Sequence, residues 1–315
     1  MKSKIKIALT MGDAAGIGPE VAARSVRIIK KFCAPLVICD AVFFTKEASK
    51  FGIDISGAEL LDLKNINNKI KPGRVSAAAG AAAAEYIAKA AELVLSKEAS
   101  AMVTAPINKE SLNKAGLNFP GHTEMLAKLT GAGEFAMMLA GGGLRVVLAT
   151  THTSLRNVPR LITARNVFSK ISLTREWLKK YLKLRHPRIG VAGLNPHAGD
   201  GGLFGDEEKK EIIPAIKLAE RRFGKGITGP VAPDILLYKA KKGHFDAVLC
   251  MYHDQGLVAL KMEAFEKGVN ITLGLPIIRT SPDHGTAYDI AGRGAANPES
   301  FIEAVKTAVF LAEQA

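Results

Sequence analysis

The sequence predicts an α/β fold built around a largely parallel β-sheet. Two observations carry that expectation. Short apolar runs recur along the chain, and amphipathic segments of helical period separate them. Neither an internal repeat nor a low-complexity linker breaks the alternation, so composition marks no domain boundary.

Taken in order, KIKIALTM is the first strand. A glycine-rich turn follows it, then a helix starting near Pro19-Glu20, where proline suits the first turn and an acid suits the helix dipole. APLVICD is a second strand. SAAAGAAAAEYIAKAAELVLSKEAS predicts a long helix capped by Ser76, with an alanine face suited to close packing. SAMVTAP, LRVVLATT, PRIGVAGL and DAVLCMY predict further buried strands. DEEKKEIIPAIKLAERRFG reads as a helix with acids first, Arg221 and Arg222 last and Gly224 as its stop, kinked or split by Pro214. The final stretch from Asn297 predicts an amphipathic helix.

The chain's 315 residues, 48% hydrophobic and 23% charged, suffice for one large or two smaller globular domains with a buried core. The longest apolar runs fall short of a membrane span, and the N-terminal segment lacks the features of a signal peptide. Cys33, Cys39 and Cys250 form no metal-binding spacing. They are expected as reduced thiols of a cytoplasmic protein. The net charge of +13 raises nucleic-acid binding as a question. Its densest cluster, TREWLKKYLKLRHPR, answers against it: Trp177, Leu178, Tyr181, Leu182 and Leu184 make an apolar helical stripe and the cations take the other face. Such a field still favours an anionic small molecule.

Three of the seven histidines stand just past apolar strands: His152 after LRVVLATT, His197 after PRIGVAGLNP and His253 after DAVLCMY. In a parallel sheet these ends face one edge, where ligands bind, so the three are expected to converge. Three imidazoles suit a divalent transition metal and leave a coordination position open for chemistry. Asp200 and Asp254 are candidates for orienting those rings, or are ordinary turn residues. Such a set could also activate water, as in a metal-dependent hydrolase. TMGDAAGIGPE is neither a dinucleotide fingerprint nor a P-loop, and reads as a tight turn or an anion site at a helix N-terminus. In GHTEMLAKLTG, Thr123 is expected to cap a helix and His122 to stand at its positive end. Lys261, Asn270 and Arg279, which follow the third histidine, supply two cations and an amide for an anionic substrate, or lie on the surface.

Six motifs in order, GDAAGIGPE, TAPINKESL, GHTEMLA, LNPHAGDGG, MYHDQGL and NITLGLPIIRTSPDHGTAYDIAG, resemble the 4-hydroxythreonine-4-phosphate dehydrogenase family of pyridoxal phosphate synthesis. The resemblance runs from Met11 to about Phe301. It implies NAD- or NADP-dependent oxidation of the 3-hydroxyl of 4-phosphooxy-L-threonine and loss of carbon dioxide to give 3-amino-2-oxopropyl phosphate. It further implies a homodimer with one divalent metal (zinc, magnesium or cobalt) per active site, near the subunit interface. Carried over by motif, the metal ligands are His152, His197 and His253. Substrate contacts are His122, Thr123, Lys261, Asn270 and Arg279, with Lys261 and His122 as candidates for proton transfer. HGTAYDIAGRGAANP is also similar to the cofactor loop of isocitrate and isopropylmalate dehydrogenases, which implies His284, Asp289 and Asn297 beside the nucleotide. That similarity implies their two-lobed α/β fold with a cleft between lobes, not a Rossmann fold. Residues 1–120 with 280–315 form the cofactor lobe of this expectation, and 121–279 the metal and dimer lobe. Relatives of the family act on 4-phospho-D-threonate or 4-phospho-D-erythronate, and these motifs leave that choice open. Two places depart from the family pattern: Ala14 stands where proline is usual, and Ala232-Pro233-Asp234-Ile235 lacks the usual threonine hydroxyl.

Overall fold

The computed structural model describes residues 4–66, 69–119 and 121–315. Along the chain the strands are β1 (Lys6–Thr10), β2 (Ala34–Cys39), β3 (Glu59–Asp62), β4 (Ala101–Thr104), β5 (Ala136–Gly141), β6 (Leu144–Leu148), β7 (Ile189–Ala192), β8 (Ile227–Val231), β9 (Ala247–Cys250), β10 (Val269–Leu273) and β11 (Arg279–Pro282). The helices are α1 (Gly18–Ile29), α2 (Ala41–Lys50), α3 (Ala77–Leu95), α4 (Lys109–Lys114), α5 (His122–Thr130), α6 (Val158–Leu161), α7 (Ala164–Tyr181), α8 (Ile213–Phe223), α9 (Pro233–Lys241), α10 (His253–Ala264) and α11 (Glu299–Glu313). The fold is mixed α/β, as the alternation of runs predicts. Among the described residues no helix is long and apolar enough to cross a membrane.

The chain divides into two compact units, Met1–Gly133 with Leu275–Glu313 and Glu134–Gly274 with Gln314–Ala315. In unit 1 the strand order is β3-β2-β1-β4-β11, all parallel. Its core strands carry Ile7, Leu9, Val37 and Val103, fully buried, as expected where helices cover both faces. Ser76 caps α3, its Oγ accepting from Ala79 N at 3.3 Å. Gly80 lets α4 pack against α3, because a Cβ there would lie 2.2 Å from Ser111 O. Helix α5 also packs on α3. Residues 121–133 therefore belong with unit 1, whereas the family-based boundary placed them in the other lobe.

In unit 2 the order is β10-β5-β6-β9-β7-β8. β6, β9, β7 and β8 are parallel, and β5 runs antiparallel to both β10 and β6. Leu139, Leu144, Val146, Leu148, Val248, Leu257 and Leu260 fill its core, each burial contributing about 1.5–3 kcal/mol relative to exposure. The split expected at Pro214 occurs just before it. Residues Glu208–Ile212 form a wide helical turn, and Pro214 sits in the first turn of α8, where no amide donor is lost.

Cys33, Cys39 and Cys250 are free and buried, and burial pushes each thiol up to about 12. Ala14 fits its turn at 4% exposure, and Ile235 is 46% exposed on α9, so neither departure disturbs a core.

Candidate active site

Unit 1 carries a buried cationic constellation. β11 pairs with β4 in register Arg279↔Met102, which brings the guanidinium to the end of β4. Nε and Nη2 of Arg279 donate to Thr104 Oγ1 at 3.1 and 2.7 Å, and the residue is only 2% exposed. Burial pulls its pKa down to about 9, opposed by the negative charge of Glu124, so the cation persists at neutral pH. His122 is the first residue of α5. Burial holds its pKa well below the usual histidine range, Arg279 adds to that depression, and a backbone hydrogen bond at Ala105 opposes it. Its Nε2 is sealed from solvent without a hydrogen-bond partner. A neutral imidazole with an unpartnered ring nitrogen beside a buried guanidinium offers one acceptor and one cation, a pairing that fits a molecule carrying both a hydroxyl and an anion. Thr123 does not cap α5. Gly121 occupies the N-cap and makes no side-chain cap bond, while Thr123 lies one place inside the first turn, 7% exposed. The expected cap fails because the helix begins one residue earlier than its best capping side chain.

Unit 2 carries the strand-end histidines. β6, β9 and β7 run parallel, so their carboxyl ends share one edge of the sheet, as expected. Polar bonds lace those ends together. Thr150 Oγ1 donates to Met251 O at 2.7 Å, Met251 N donates to Gln255 Oε1 at 2.6 Å, and Gln255 Nε2 donates to Gly193 O at 2.9 Å. The rings of His152 and His253 lie with centroids 6.1 Å apart, beside a cavity of about 370 Å³ lined also by Thr151, Tyr252 and Asp254. Asp254 Oδ1 lies 2.7 Å from His253 Nδ1, a contact that orients the ring.

The third histidine departs from expectation within a single chain. His197 follows β7 in a loop with left-handed backbone, φ 54°, and its ring lies against Phe204 at 6.3 Å. Among the described residues no group of three His, Cys, Asp or Glu side chains is gathered around one point. Sheet topology delivers the three loops to one edge, and beyond β7 the backbone turns left-handed at His197. Asp200, also left-handed at φ 41°, is an exposed turn residue of that loop. The donor set at His152 and His253, two imidazoles with a bracing carboxylate, suits a divalent transition metal in two of its three expected protein positions.

The remaining candidates divide between the units. Asn270 lies on β10 opposite Leu139, its Oδ1 buried and unpartnered. Lys261 lies on α10 with its ammonium 5.5 Å from the Phe265 ring centroid. In unit 1, His284 resembles His122: burial lowers its pKa, Nδ1 lies 3.1 Å from Gly285 O, and Nε2 is sealed without a partner. Asp289 is exposed. Asn297 uses Oδ1 to accept from Glu299 N at 2.9 Å, at the start of α11. An orphaned buried imidazole nitrogen with an exposed carboxylate in the same loop fits the mixed polarity of a nucleotide.

Four contributors stand outside the sequence-based expectation. Thr104 and Glu124 surround Arg279, and Gln255 joins two strand ends. The sequence signal of these three was membership of the motifs TAPINKESL, GHTEMLA and MYHDQGL. Glu208, 2% exposed, had none. Its Oε1 accepts from Leu194 N and Asn195 N at 2.8 and 2.7 Å, which holds the base of the His197 loop.

A sequence model of the family described as pyridoxal phosphate biosynthetic protein PdxA matches residues 31–308. A 4-hydroxythreonine-4-phosphate dehydrogenase from Desulfosudis oleivorans is 46% identical, over 98% of this chain and 96% of that one. A D-threonate 4-phosphate dehydrogenase from Cupriavidus necator is 44% identical, over 97% of each. The crystal structure of a 4-hydroxythreonine-4-phosphate dehydrogenase from Klebsiella pneumoniae matches with a TM-score of 0.88 at 38% identity, covering 98% of this chain and all 100% of that one. An isocitrate dehydrogenase from Methylococcus capsulatus matches at 0.51 with 13% identity, over 97% of this chain and 85% of that one, a likeness of fold alone.

Proposed function

Because the chain belongs to the PdxA family of pyridoxal phosphate biosynthetic proteins, we propose that it oxidises a phosphorylated hydroxy acid, and specifically the 3-hydroxyl of 4-phosphooxy-L-threonine, with decarboxylation to 3-amino-2-oxopropyl phosphate. The single observation that carries this reading is the buried His122–Arg279 constellation, whose sealed Nε2 and desolvated cation call for a polar anion. Arg279 binds that anion as a planar fork, and its low-dielectric setting strengthens each bond it makes. Thr123 adds a hydroxyl from the same turn of helix, and Lys261 and Asn270 are assigned further anion contacts. His122, with its unpartnered Nε2, and Lys261 are the two candidates for proton transfer.

We assign the dinucleotide, NAD or NADP, to the loop bearing His284, Asp289 and Asn297, and a divalent zinc, magnesium or cobalt ion to His152 and His253. His197 is the third ligand of this assignment in the homodimer. When bound, the dinucleotide accepts the hydride and the metal supplies Lewis acidity at the hydroxyl. Asp254 would orient the His253 ring for that role. The homodimer is supported by an exposed apolar stripe, Val258 and Met262 on α10 and Phe265 at its C-cap, at 60%, 84% and 74% exposure. The two-lobed dehydrogenase fold, with cofactor residues in unit 1 and metal residues in unit 2, belongs to the same proposal.

A second substrate, 4-phospho-D-threonate, is favoured by the 44% identity to the relative from Cupriavidus necator, nearly that of the first relative. A panel of four-carbon 4-phosphorylated hydroxy acids, scored for NADH and NADPH, tests the choice. Turnover of 4-phosphooxy-L-threonine with product decarboxylation is expected. Turnover of the threonate alone selects the second reading, and no turnover of any member overturns both. Undiminished turnover after complete chelation overturns the metal assignment.

A further inference from the structure

The motif GDAAGIGPE is left without a task by the function above, and its acids are buried: Asp13 at 0% and Glu20 at 5% exposure. Neither serves the turn alone. Asp13 Oδ1 accepts from Ala15 N at 2.7 Å, but Oδ2 accepts from the hydroxyl of Tyr288 at 2.9 Å. Glu20 Oε1 accepts from Arg24 Nε at 2.9 Å and from Ala296 N at 3.0 Å. Arg24 Nη2 in turn donates to Gly294 O at 2.6 Å. The backbone joins in, with Ile17 N donating to Thr286 O at 3.0 Å, and Lys50 Nζ donates to Gly292 O at 3.1 Å. Gly16 is required at the contact, since a Cβ there would lie 2.9 Å from Thr286 O.

Residues 286, 288, 292, 294 and 296 are thus tied to the region of β1 and α1, α2 included. The tethered segment carries strain that the ties help to hold, with left-handed backbone at the non-glycine Ala287, φ 40°. His284, Asp289 and Asn297 lie between or beside the tied positions, and none of them spends its side chain on the ties.

We propose that Asp13 and Glu20 are positioning residues that hold the 286–296 loop in the form that receives the dinucleotide, an inference that rests on the cofactor assignment above. Pre-ordering the loop spares the dinucleotide the entropic cost of arranging it, so the ties act on dinucleotide affinity. None of the ties named above uses the side chain of His122 or Arg279.

The test uses the full-length protein in four forms: wild type, Glu20→Ala, Glu20→Gln and Tyr288→Phe. Hydrogen exchange of residues 284–297 is measured without ligand, NAD and NADP affinities by calorimetry, and KM for the phosphorylated substrate at saturating dinucleotide. Glu20→Ala and Tyr288→Phe are expected to speed loop exchange and weaken dinucleotide binding about tenfold. Substrate KM stays within about twofold, and Glu20→Gln, which keeps the acceptor, restores most of the affinity. Tyr288→Phe removes one hydroxyl only, and carries the test if Glu20→Ala does not fold. Faster exchange with unchanged dinucleotide affinity overturns the inference, as does an equal rise in substrate KM. A wild type that binds neither dinucleotide overturns the cofactor assignment and this inference together. A wild type that binds while both variants match it overturns this inference alone.

Discussion

His122 and His253 occupy the same place in local structure, each the first residue of a helix, and their surroundings make them opposite tools. His122 faces a guanidinium with no hydrogen-bond partner on Nε2 and is held neutral by burial. His253 has a side chain 38% exposed and a carboxylate 2.7 Å from Nδ1. A positive helix end alone therefore assigns neither a role. The burial of one and the carboxylate contact of the other fit the different roles proposed for them, an anion- and proton-handling site and a metal ligand. In that proposal unit 1 works by desolvation and unit 2 by orientation.

The largest effect is expected where desolvation is greatest. Arg279→Met replaces a buried charge by an apolar chain of similar length. It should lower kcat/KM by about 30- to 5,000-fold, the equivalent of about 2–5 kcal/mol of charged contact, while Tm holds or rises. Steady-state kinetics and a thermal melt on the same sample check both halves. Falling Tm with intact kcat/KM would make Arg279 a structural strut and erase the contrast. Next, Asp254→Asn should weaken divalent-metal affinity about 10- to 100-fold, read by competition with a chromophoric chelator, because the His253 ring loses its brace. Anion binding at His122 should not change.

The buried histidines of unit 1 give the pH response a definite sign. An unfolded histidine titrates near about 6.5, and the folded His122 well below that. Between those values the unfolded chain binds the extra proton, so stability falls as pH drops below about 6.5, by at most about 1.4 kcal/mol per pH unit per histidine. Above that window both states are deprotonated and the loss vanishes. His284, lowered by the same cause, adds to the slope. His122→Gln should flatten the decline in denaturant midpoint between about pH 6.5 and 5, and an unchanged slope would show that burial does not govern this ring. The smallest effect belongs to Ile235→Thr, which restores the family hydroxyl at a 46% exposed position. Within about 0.5 kcal/mol of stability and about twofold of kcat/KM, it should read as wild type.

The α/β class, the strands bearing the three histidines and the long Ser76-capped helix were all legible, because each rests on local periodicity or a local cap. The β5–β6 hairpin was missed although its signal was present: AMMLAGGGLRVVL places Gly142-Gly143 between two apolar runs, and both adopt positive φ. Arg279 was harder. An arginine in a short strand reads as surface until Thr104 and Glu124, brought from other elements, make its burial tolerable. His197 was harder still, because strand order delivers its loop but the left-handed backbone after Pro196 aims the ring, and pattern alone does not encode that turn. The buried acids of GDAAGIGPE show the same limit: the motif was visible and its partners, almost the whole chain length away, were not.

The three shielded thiols make the protein its own reporter. Cys33 and Cys39 sit in unit 1 and Cys250 in unit 2, all too protonated and too enclosed to meet an alkylating reagent in the folded state. Modification must then wait for a transient opening, so peptide-resolved alkylation rates become two clocks, one per unit. Metal or dinucleotide should slow only the clock of the unit that holds it, with no probe added to the chain.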